Sequence, residues 1–204
     1  VHIIQMLNIL ENFNLVVMGH NSPTYTALLA ESMKYAYADR SKYLGDPEFF
    51  DVPVQSLISK EYAKKIYEKI ELNSITSSDK ILPGSELRHE SLDTTHFSVA
   101  DKNGNIVSNT YTLNSGFGSG VVVDGTGILM NNEMDDFVSA PGVPNQFGLI
   151  GGEANKIEPF KRPLSSMTPT IVLKDGKPVY ATGSPGGSRI ITTVLQFLLN
   201  TLVF

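Results

Sequence analysis

Two adjacent threonines, Thr94 and Thr95, stand where a polar stretch gives way to strand-like alternation, in the segment LDTTHFSV. A threonine hydroxyl becomes an effective nucleophile only when a base lies beside it. If the chain is cut immediately before Thr94, the freed α-amine is that base, and its pKa of about 7.7–8.0 suits proton transfer near neutral pH. The alternative interpretation is structural, because β-branched residues commonly begin strands. These residues alone leave both interpretations open.

Two downstream segments carry polar groups that suit a small zwitterionic ligand. The acidic run NNEMDDF contains Glu133, Asp135 and Asp136, whose carboxylates could meet an ammonium group. The segment PLSSM places two hydroxyls, Ser165 and Ser166, directly after a proline-anchored turn. Each segment taken alone is equally compatible with an ordinary turn.

Two glycines, Gly186 and Gly187, come just before a predicted helix in the segment GSPGGSR. Backbone N–H groups at a helix start lack intrahelical acceptors, and together with the helix dipole they favour an anion. The alternative is a tight turn that joins a strand to a helix.

The histidines favour a different but weaker hypothesis. His96 shares a strand face with Thr94, since side chains two residues apart point to the same side. A Thr/His dyad therefore remains open, although the α-amine mechanism needs no histidine. His2, His20 and His89 are scattered and show no metal-ligand spacing, so we expect neither a metal nor another cofactor.

The composition excludes several classes of site. Of the 204 residues, 41% are hydrophobic and 18% are charged, which is ordinary for a globular protein. The net charge of −5 argues against nucleic acid or an anionic membrane as the main partner. The absence of cysteine excludes disulfides, thiolate metal sites and a cysteine nucleophile. No apolar run approaches the roughly 20 residues that span a bilayer.

Both ends of the sequence have the pattern of interrupted helices. The chain begins within an apolar helical pattern formed by Ile3, Ile4, Leu7 and Leu10, and it finishes in the apolar stretch TTVLQFLLNTLVF without a stop signal. We therefore expect a fragment of a longer protein, with any targeting segment upstream of it.

The first third of the sequence predicts helices. Ser22 followed by Pro23 predicts the start of a long helix, and Ser59 predicts the start of another. Residues 73–93 are polar and without periodicity, which indicates a long exposed loop of the kind that is readily cut.

From Thr94 onward the sequence predicts strands. Asn103-Gly104 and Asp175-Gly176 each separate two alternating runs, which indicates two β-hairpins. GVVVDG and GILMNN predict two short strands, and a final helix is predicted from near Ser188. Helices flanking antiparallel strands make an α+β layout.

Taken in order, these segments resemble the γ-glutamyltranspeptidase family over essentially the whole chain. The resemblance is carried by TTHFSVADKNGN, TYTLNSGFG, GILMNNEMDDF, PGVPNQFGLIGGEAN, KRPLSSMTPTIV and GSPGGSRIITTVLQ. It implies part of an N-terminal-nucleophile hydrolase fold, a four-layer αββα sandwich. Residues 1–93 would be the helical C-terminal part of the large-subunit region, ending in a cleavage loop. Residues 94–204 would be a truncated small-subunit region, with an antiparallel sheet and a following helix.

The resemblance also implies a role for each matched position. Thr94 would be the nucleophile, freed by autocatalytic cleavage between Asp93 and Thr94, and Thr112 would hydrogen-bond to it. The amides of Gly186 and Gly187 would form the oxyanion hole. The substrate-binding residues would be Asn114, Glu133 and Asp136 for the α-ammonium group of the γ-glutamyl donor, and Ser165 and Ser166 for its α-carboxylate.

The implied activity is that of a γ-glutamyl transferase and hydrolase. It would cleave glutathione and other γ-glutamyl amides through a γ-glutamyl-threonine ester, with water or an amino acid or peptide as acceptor and without a cofactor. The two subunits of one precursor would be each other's partners, in a periplasmic or secreted protein. Two alternatives stay open: a related acylase or poly-γ-glutamate enzyme of the same fold, and an uncleaved, inactive fragment.

In that family an arginine far upstream in the large subunit also binds the substrate carboxylate. No arginine of this chain corresponds to that residue, because all of them sit elsewhere in the pattern: Arg40, Arg88, Arg162 and Arg189.

Overall fold

The computed structural model describes residues 1–72, 74–77, 94–140 and 142–204. Most of the loop predicted over residues 73–93 therefore lies outside the described residues. Asp93 and the bond that joins it to Thr94 lie outside them too.

Among the described residues, five helices precede the strands: α1 (His2–Leu10), α2 (Leu15–Met18), α3 (Pro23–Tyr43), α4 (Val54–Leu57) and α5 (Lys60–Tyr67). Both predicted helix starts are confirmed. The Ser22 hydroxyl accepts a hydrogen bond from the Tyr25 amide at 3.1 Å, and the Ser59 hydroxyl accepts one from the Tyr62 amide at 3.1 Å. Each serine thereby satisfies one of the amides that a helix start leaves without a partner.

Three antiparallel pairs of strands follow, and then a last helix: β1 (Thr94–Ala100) with β2 (Ile106–Thr112), β3 (Val122–Val123) with β4 (Ile128–Leu129), β5 (Thr170–Lys174) with β6 (Lys177–Thr182), and α6 (Ile190–Leu202). Both predicted hairpins are confirmed. Asp175 and Gly176 have φ angles of 52° and 75°, as the tight turn between β5 and β6 requires. The chain is thus a mixed α+β structure.

The predicted start of the last helix is early by about two residues. A 3₁₀ turn, Gly187–Arg189, comes first, and the α-helix begins at Ile190. Gly186 and Gly187 have φ angles of 126° and 55°, which lie outside the α-helical region, so the helix cannot extend back through them.

The hydrophobic core joins helices from both parts of the chain. It contains side chains of α1, α3, α5 and α6: Met6, Ile9, Leu10, Leu28, Leu29, Ala36, Ala63, Ile66, Ile191, Leu195 and Leu199. Ile4 belongs to the apolar pattern of α1, but 48% of its surface is exposed. The buried face instead includes Gln5, whose amide donates to Asp39 at 2.6 Å. No described helix is both long enough and apolar enough to cross a bilayer.

One face of the β1–β2 hairpin is polar over the part that begins at Thr94. Its register pairs Thr94 with Thr112, His96 with Thr110 and Ser98 with Ser108, so hydroxyl and imidazole groups share one face. The opposite face carries exposed apolar side chains: Phe97, Val99, Val107 and Tyr111. Thr94 therefore begins a polar strand face, at the open end of the hairpin.

Candidate active site

The hairpin register sets the position of Thr94. Because Thr94 and Thr112 are cross-strand partners, their hydroxyls face each other, and the Thr94 Oγ1 donates to the Thr112 Oγ1 at 3.4 Å. The Thr112 Oγ1 also accepts a hydrogen bond from the Asn114 amide at 2.9 Å. The partner threonine is thus held in place by the turn that follows its own strand.

Asn114 occupies an unusual backbone conformation at this turn. Its φ angle is 77°, a region that non-glycine residues seldom adopt and that asparagine tolerates better than most. The residue is buried, and its side-chain amide donates to the Asn132 carbonyl at 3.2 Å. This contact connects the end of β2 to the segment that carries the acidic run.

One pocket brings most of the predicted site residues together. Its wall consists of Thr94, Thr112, Asn114, Asp136, Phe147, Ser165, Ser166, Met167, Gly187 and Ile190. Every predicted catalytic or binding residue contributes to this wall except Glu133 and Gly186. Residues far apart in sequence therefore surround the Thr94 hydroxyl.

The acidic run forms a 3₁₀ turn, Glu133–Asp136, which turns its carboxylates in different directions. Asp136 lines the pocket. Asp135 instead accepts a hydrogen bond from the Gln146 amide at 2.9 Å and so holds the following loop. Glu133 does not line the pocket but lies close enough to influence the charge of Asp136.

The Asp136 carboxyl group is poised between its two protonation states near neutral pH. Burial raises its pKa to about 7, and the negative charge of Glu133 adds to the effect, whereas the positive charge of Arg40 opposes it. Burial also raises the pKa of Glu133. A pair of carboxyl groups with elevated pKa values is a site where a bound cation would be stabilised.

Two anchors hold the loop that carries the serines. Arg162 forms a two-pronged ion pair with Asp46, from Nε to Oδ2 and from Nη2 to Oδ1, each at 2.8 Å. This pairing holds the pKa of Asp46 well below its usual range. Further along the loop, the Arg40 Nη2 donates to the Ser166 Oγ at 3.1 Å. The Ser165 Oγ accepts a hydrogen bond from the Met167 amide at 3.1 Å.

Asn155 connects the acidic turn to the serine loop. Its buried side chain donates to the Asp136 carbonyl at 2.7 Å and accepts from the Leu164 amide at 3.0 Å. One side chain thus sets the separation between the two segments that would bind opposite ends of an amino acid.

The glycine turn meets an aromatic side chain at the pocket. Gly187 and Phe147 both line the wall, and a Cβ atom on Gly187 would lie 2.9 Å from the Phe147 Cδ1. The Asn145 side chain orders the loop of Phe147 by accepting hydrogen bonds from the amides of Phe147 and Leu149, each at 3.0 Å. Only a glycine fits closely between this ring and the start of α6.

His96 makes its hydrogen bonds away from the nucleophile. Its Nδ1 bonds to the Thr110 hydroxyl at 2.7 Å and its Nε2 to the Ser98 hydroxyl at 3.1 Å. Because both ring nitrogens are engaged along the hairpin face, the geometry favours the α-amine as base over a Thr/His dyad. Within the described ranges, no group of three or more acidic or histidine side chains could hold a metal ion.

Sequence reasoning missed Arg40 as a neighbour of the site. Its guanidinium contacts Ser166 and shares a cavity wall with Asp136. Sequence reasoning also missed Phe147 and Asn155. Arg40 and Ser166 are 126 residues apart, so no local pattern connects them. The Gly/Pro/Asn-rich composition of residues 138–168, which include Phe147, indicates only irregular structure.

Comparison with known proteins gives a consistent result. The family model described as gamma-glutamyltranspeptidase matches residues 1–204. The glutathione hydrolase proenzyme of Escherichia coli (strain K12) is 57% identical over 202 residues, which cover 99% of this chain and 35% of that relative. The chain thus spans about a third of the length of this curated relative.

Two solved structures resemble the chain in different ways. The gamma-glutamyltranspeptidase from Pseudomonas nitroreducens, complexed with L-DON, is 62% identical, with a TM-score of 0.52 over 53% of this chain and 56% of that chain. The cephalosporin acylase from Bacillus halodurans is 28% identical, with a TM-score of 0.73 over 98% of this chain and 33% of that chain.

Proposed function

Because this chain belongs to the gamma-glutamyltranspeptidase family, we propose that the full-length protein is a γ-glutamyl transferase and hydrolase acting on glutathione and similar γ-glutamyl amides. The observation that carries the proposal is the single pocket in which Thr94, Asp136, Ser165, Ser166 and Gly187 meet. This pocket offers a nucleophile, an anion for an ammonium group, hydroxyls for a carboxylate and a backbone amide for an oxyanion.

The reaction begins with maturation of the precursor. The Thr94 hydroxyl attacks the carbonyl carbon of Asp93, the Asp93–Thr94 amide rearranges to an ester, and water hydrolyses that ester. The products are a new carboxyl-terminus on Asp93 and a free α-amine on Thr94. The two pieces are the large and small subunits of one precursor.

The mature Thr94 then acts on the donor. Its α-amine takes the hydroxyl proton as the Oγ attacks the γ-carbonyl carbon, and the oxyanion that forms accepts hydrogen bonds from the glycine turn. Collapse of this intermediate breaks the amide bond, and the α-amine returns the proton to the departing amine. Water or the amino group of an acceptor then attacks the γ-glutamyl ester and restores the hydroxyl.

The pocket walls match the polarity of a γ-glutamyl donor. The ionised Asp136 carboxylate pairs with the α-ammonium group, and Glu133 adds negative charge behind it. Ser165 and Ser166 donate to the α-carboxylate, and Asn155 fixes the distance between these two subsites. Asn114 completes the ammonium subsite from the end of β2.

The family assignment also supports two broader proposals. The described helices and hairpins form part of a four-layer αββα sandwich, which the TM-score of 0.73 with the cephalosporin acylase supports. The protein is periplasmic or secreted, by resemblance to the family, and cell fractionation would test that location.

The proposed function is tested by purifying the full-length protein and its Thr94→Ala variant. The wild type should appear as two pieces on a denaturing gel without added protease and should release amine from glutathione and γ-glutamyl anilides. Thr94→Ala should remain one chain and be inactive. A pure alanine variant that is still cut at residues 93–94 would exclude self-cleavage.

An acylase is the second candidate, because the cephalosporin acylase matches 98% of this chain. A panel of donor amides separates the two functions. Turnover of glutaryl or adipyl amides, which lack the α-ammonium group, in preference to γ-glutamyl amides would favour the acylase. A pocket with Asp136 at its wall favours the γ-glutamyl donor.

A further inference from the structure

Arg40 is a buried cation at the back of the pocket. It lies near the end of α3, 6% of its surface is exposed, and its Nη2 donates to the Ser166 Oγ at 3.1 Å. It also lines a small neighbouring cavity together with Asp136, Asn155 and Leu164. It does not line the pocket around Thr94, so any effect on the substrate acts through residues that do.

The contact with Ser166 dictates the direction of the serine hydroxyl. A guanidinium group has donors but no acceptor, so the Ser166 Oγ must be the acceptor in this hydrogen bond. The serine O–H is then left to donate elsewhere. Since Ser166 lines the pocket, its proton is available to a ligand carboxylate there.

The charge of Arg40 acts on the opposite subsite. Burial lowers the pKa of Arg40, but a guanidinium remains protonated in proteins, so the positive charge persists. This charge lowers the pKa of Asp136, whereas burial, Glu133 and Asp135 raise it. On the other side of Arg40, burial and the guanidinium charge lower the pKa of His2 to about 3, so the imidazole is neutral near pH 7.

We propose that Arg40 is a positioning residue for the donor's amino-acid group, because it orients the Ser166 hydroxyl towards the α-carboxylate. Across the small cavity that it shares with Asp136, its charge favours the carboxylate form of Asp136 for the α-ammonium. This inference rests on the proposed function and adds a residue that contacts one subsite through Ser166 and shares a cavity wall with Asp136 of the other. One buried cation thereby influences both the subsite for the α-carboxylate and the subsite for the α-ammonium group.

The test uses the full-length protein with Arg40→Met, Arg40→Lys and Ser166→Ala, and the double variant Arg40→Met/Ser166→Ala. Lys42→Met is the matched control, because Lys42 lies on the same helix and is exposed. Self-cleavage and thermal melting show which variants fold. The readouts are kcat and KM for a γ-glutamyl anilide between pH 5 and 9.

Arg40→Met should raise KM about tenfold or more, the scale for removing a hydrogen bond to a charged group. It should also move the acidic limb of kcat/KM to higher pH by about half a unit or more, since Asp136 then holds its proton more tightly. Arg40→Lys, which keeps the charge, should leave the limb in place. The effects of Arg40→Met and Ser166→Ala on KM should be clearly less than additive.

The outcomes separate this inference from the proposed function. A wild type that is inactive on γ-glutamyl amides would defeat the proposed function itself. An active wild type whose folded Arg40→Met variant keeps both its KM and its acidic limb would overturn the role of Arg40. If Arg40→Met fails to self-cleave, Arg40→Gln takes its place, because its amide can still donate to Ser166 but carries no charge. An Arg40→Gln variant that keeps the wild-type acidic limb would then overturn the role of Arg40.

Discussion

Asp136 illustrates how a binding residue can weaken the fold that contains it. Its pKa rises from 3.8 to about 7 on folding, mainly because the carboxyl group is buried. Between these two values the folded state holds the proton while the unfolded state has released it. The contribution of Asp136 to stability therefore falls as the pH rises from about 4 to about 7. A bound ammonium group offsets this cost when the substrate arrives.

Asp136→Asn should consequently improve stability and abolish tight binding of the donor. Loss of the carboxylate should weaken donor binding by about 2–5 kcal/mol, the range for truncating one member of a buried charge pair. In thermal melts, the advantage of the variant over the wild type should grow between pH 4 and pH 7 and level off above that range. Wild-type kinetics on γ-glutamyl amides would remove Asp136 from the site.

Asp135→Asn is the matched control for that substitution. Asp135 belongs to the same 3₁₀ turn but accepts its hydrogen bond from the Gln146 amide. The Asp135→Asn variant should therefore still show the fall in kcat/KM below pH 7 that protonation of Asp136 causes. The Asp136→Asn variant should not show this fall.

Among the secondary-structure elements, the turn before α6 has two roles. It would supply an oxyanion donor, and it requires a positive φ angle at Gly187. Gly187→Ala should lower kcat by about 10²-fold or more, the scale for losing one oxyanion donor. It should also lower stability, because φ is 55° and the new Cβ would lie 2.9 Å from the Phe147 Cδ1. Enzyme assays and melting curves would measure the two effects separately.

Gly176→Ala provides the control for that strain. Gly176 has a φ of 75° in the β5–β6 turn, and a Cβ there would meet nothing within 4 Å. It should lower the melting temperature through backbone strain, which costs about 1–2 kcal/mol, without changing kcat. If Gly187→Ala likewise lowers the melting temperature without changing kcat, Gly187 is needed for the turn and not for the reaction.

Local elements were predictable from sequence because their causes are local. Ser22 and Ser59 lie beside the amides that they cap, and Asp175-Gly176 supplies its own turn geometry. The contact of Arg40 with Ser166 has no such local cause, since it depends on how α3 packs against the serine loop. The burial of Gln5 rather than Ile4 likewise follows from tertiary contacts, here the hydrogen bond to Asp39.

In the whole molecule, the segments before and after Thr94 form one packed unit. The core shares α1, α3 and α5 with α6. Polar contacts also cross between the segments, with Arg162 paired to Asp46 and the Tyr37 hydroxyl donating to the Ser188 carbonyl at 2.7 Å. A cut between residues 93 and 94 would therefore leave the two pieces attached.

That shared core changes the molecularity of refolding once the chain is cut. An uncut chain finds its own partner segment at a fixed effective concentration, whereas two separate pieces must meet by diffusion. After denaturation, the yield and rate of recovery of the self-cleaved protein should fall on dilution, while those of uncut Thr94→Ala should not. Circular dichroism at several dilutions would measure this difference. Recovery of the cut protein at an unchanged rate over a hundredfold dilution would show that its pieces never separate.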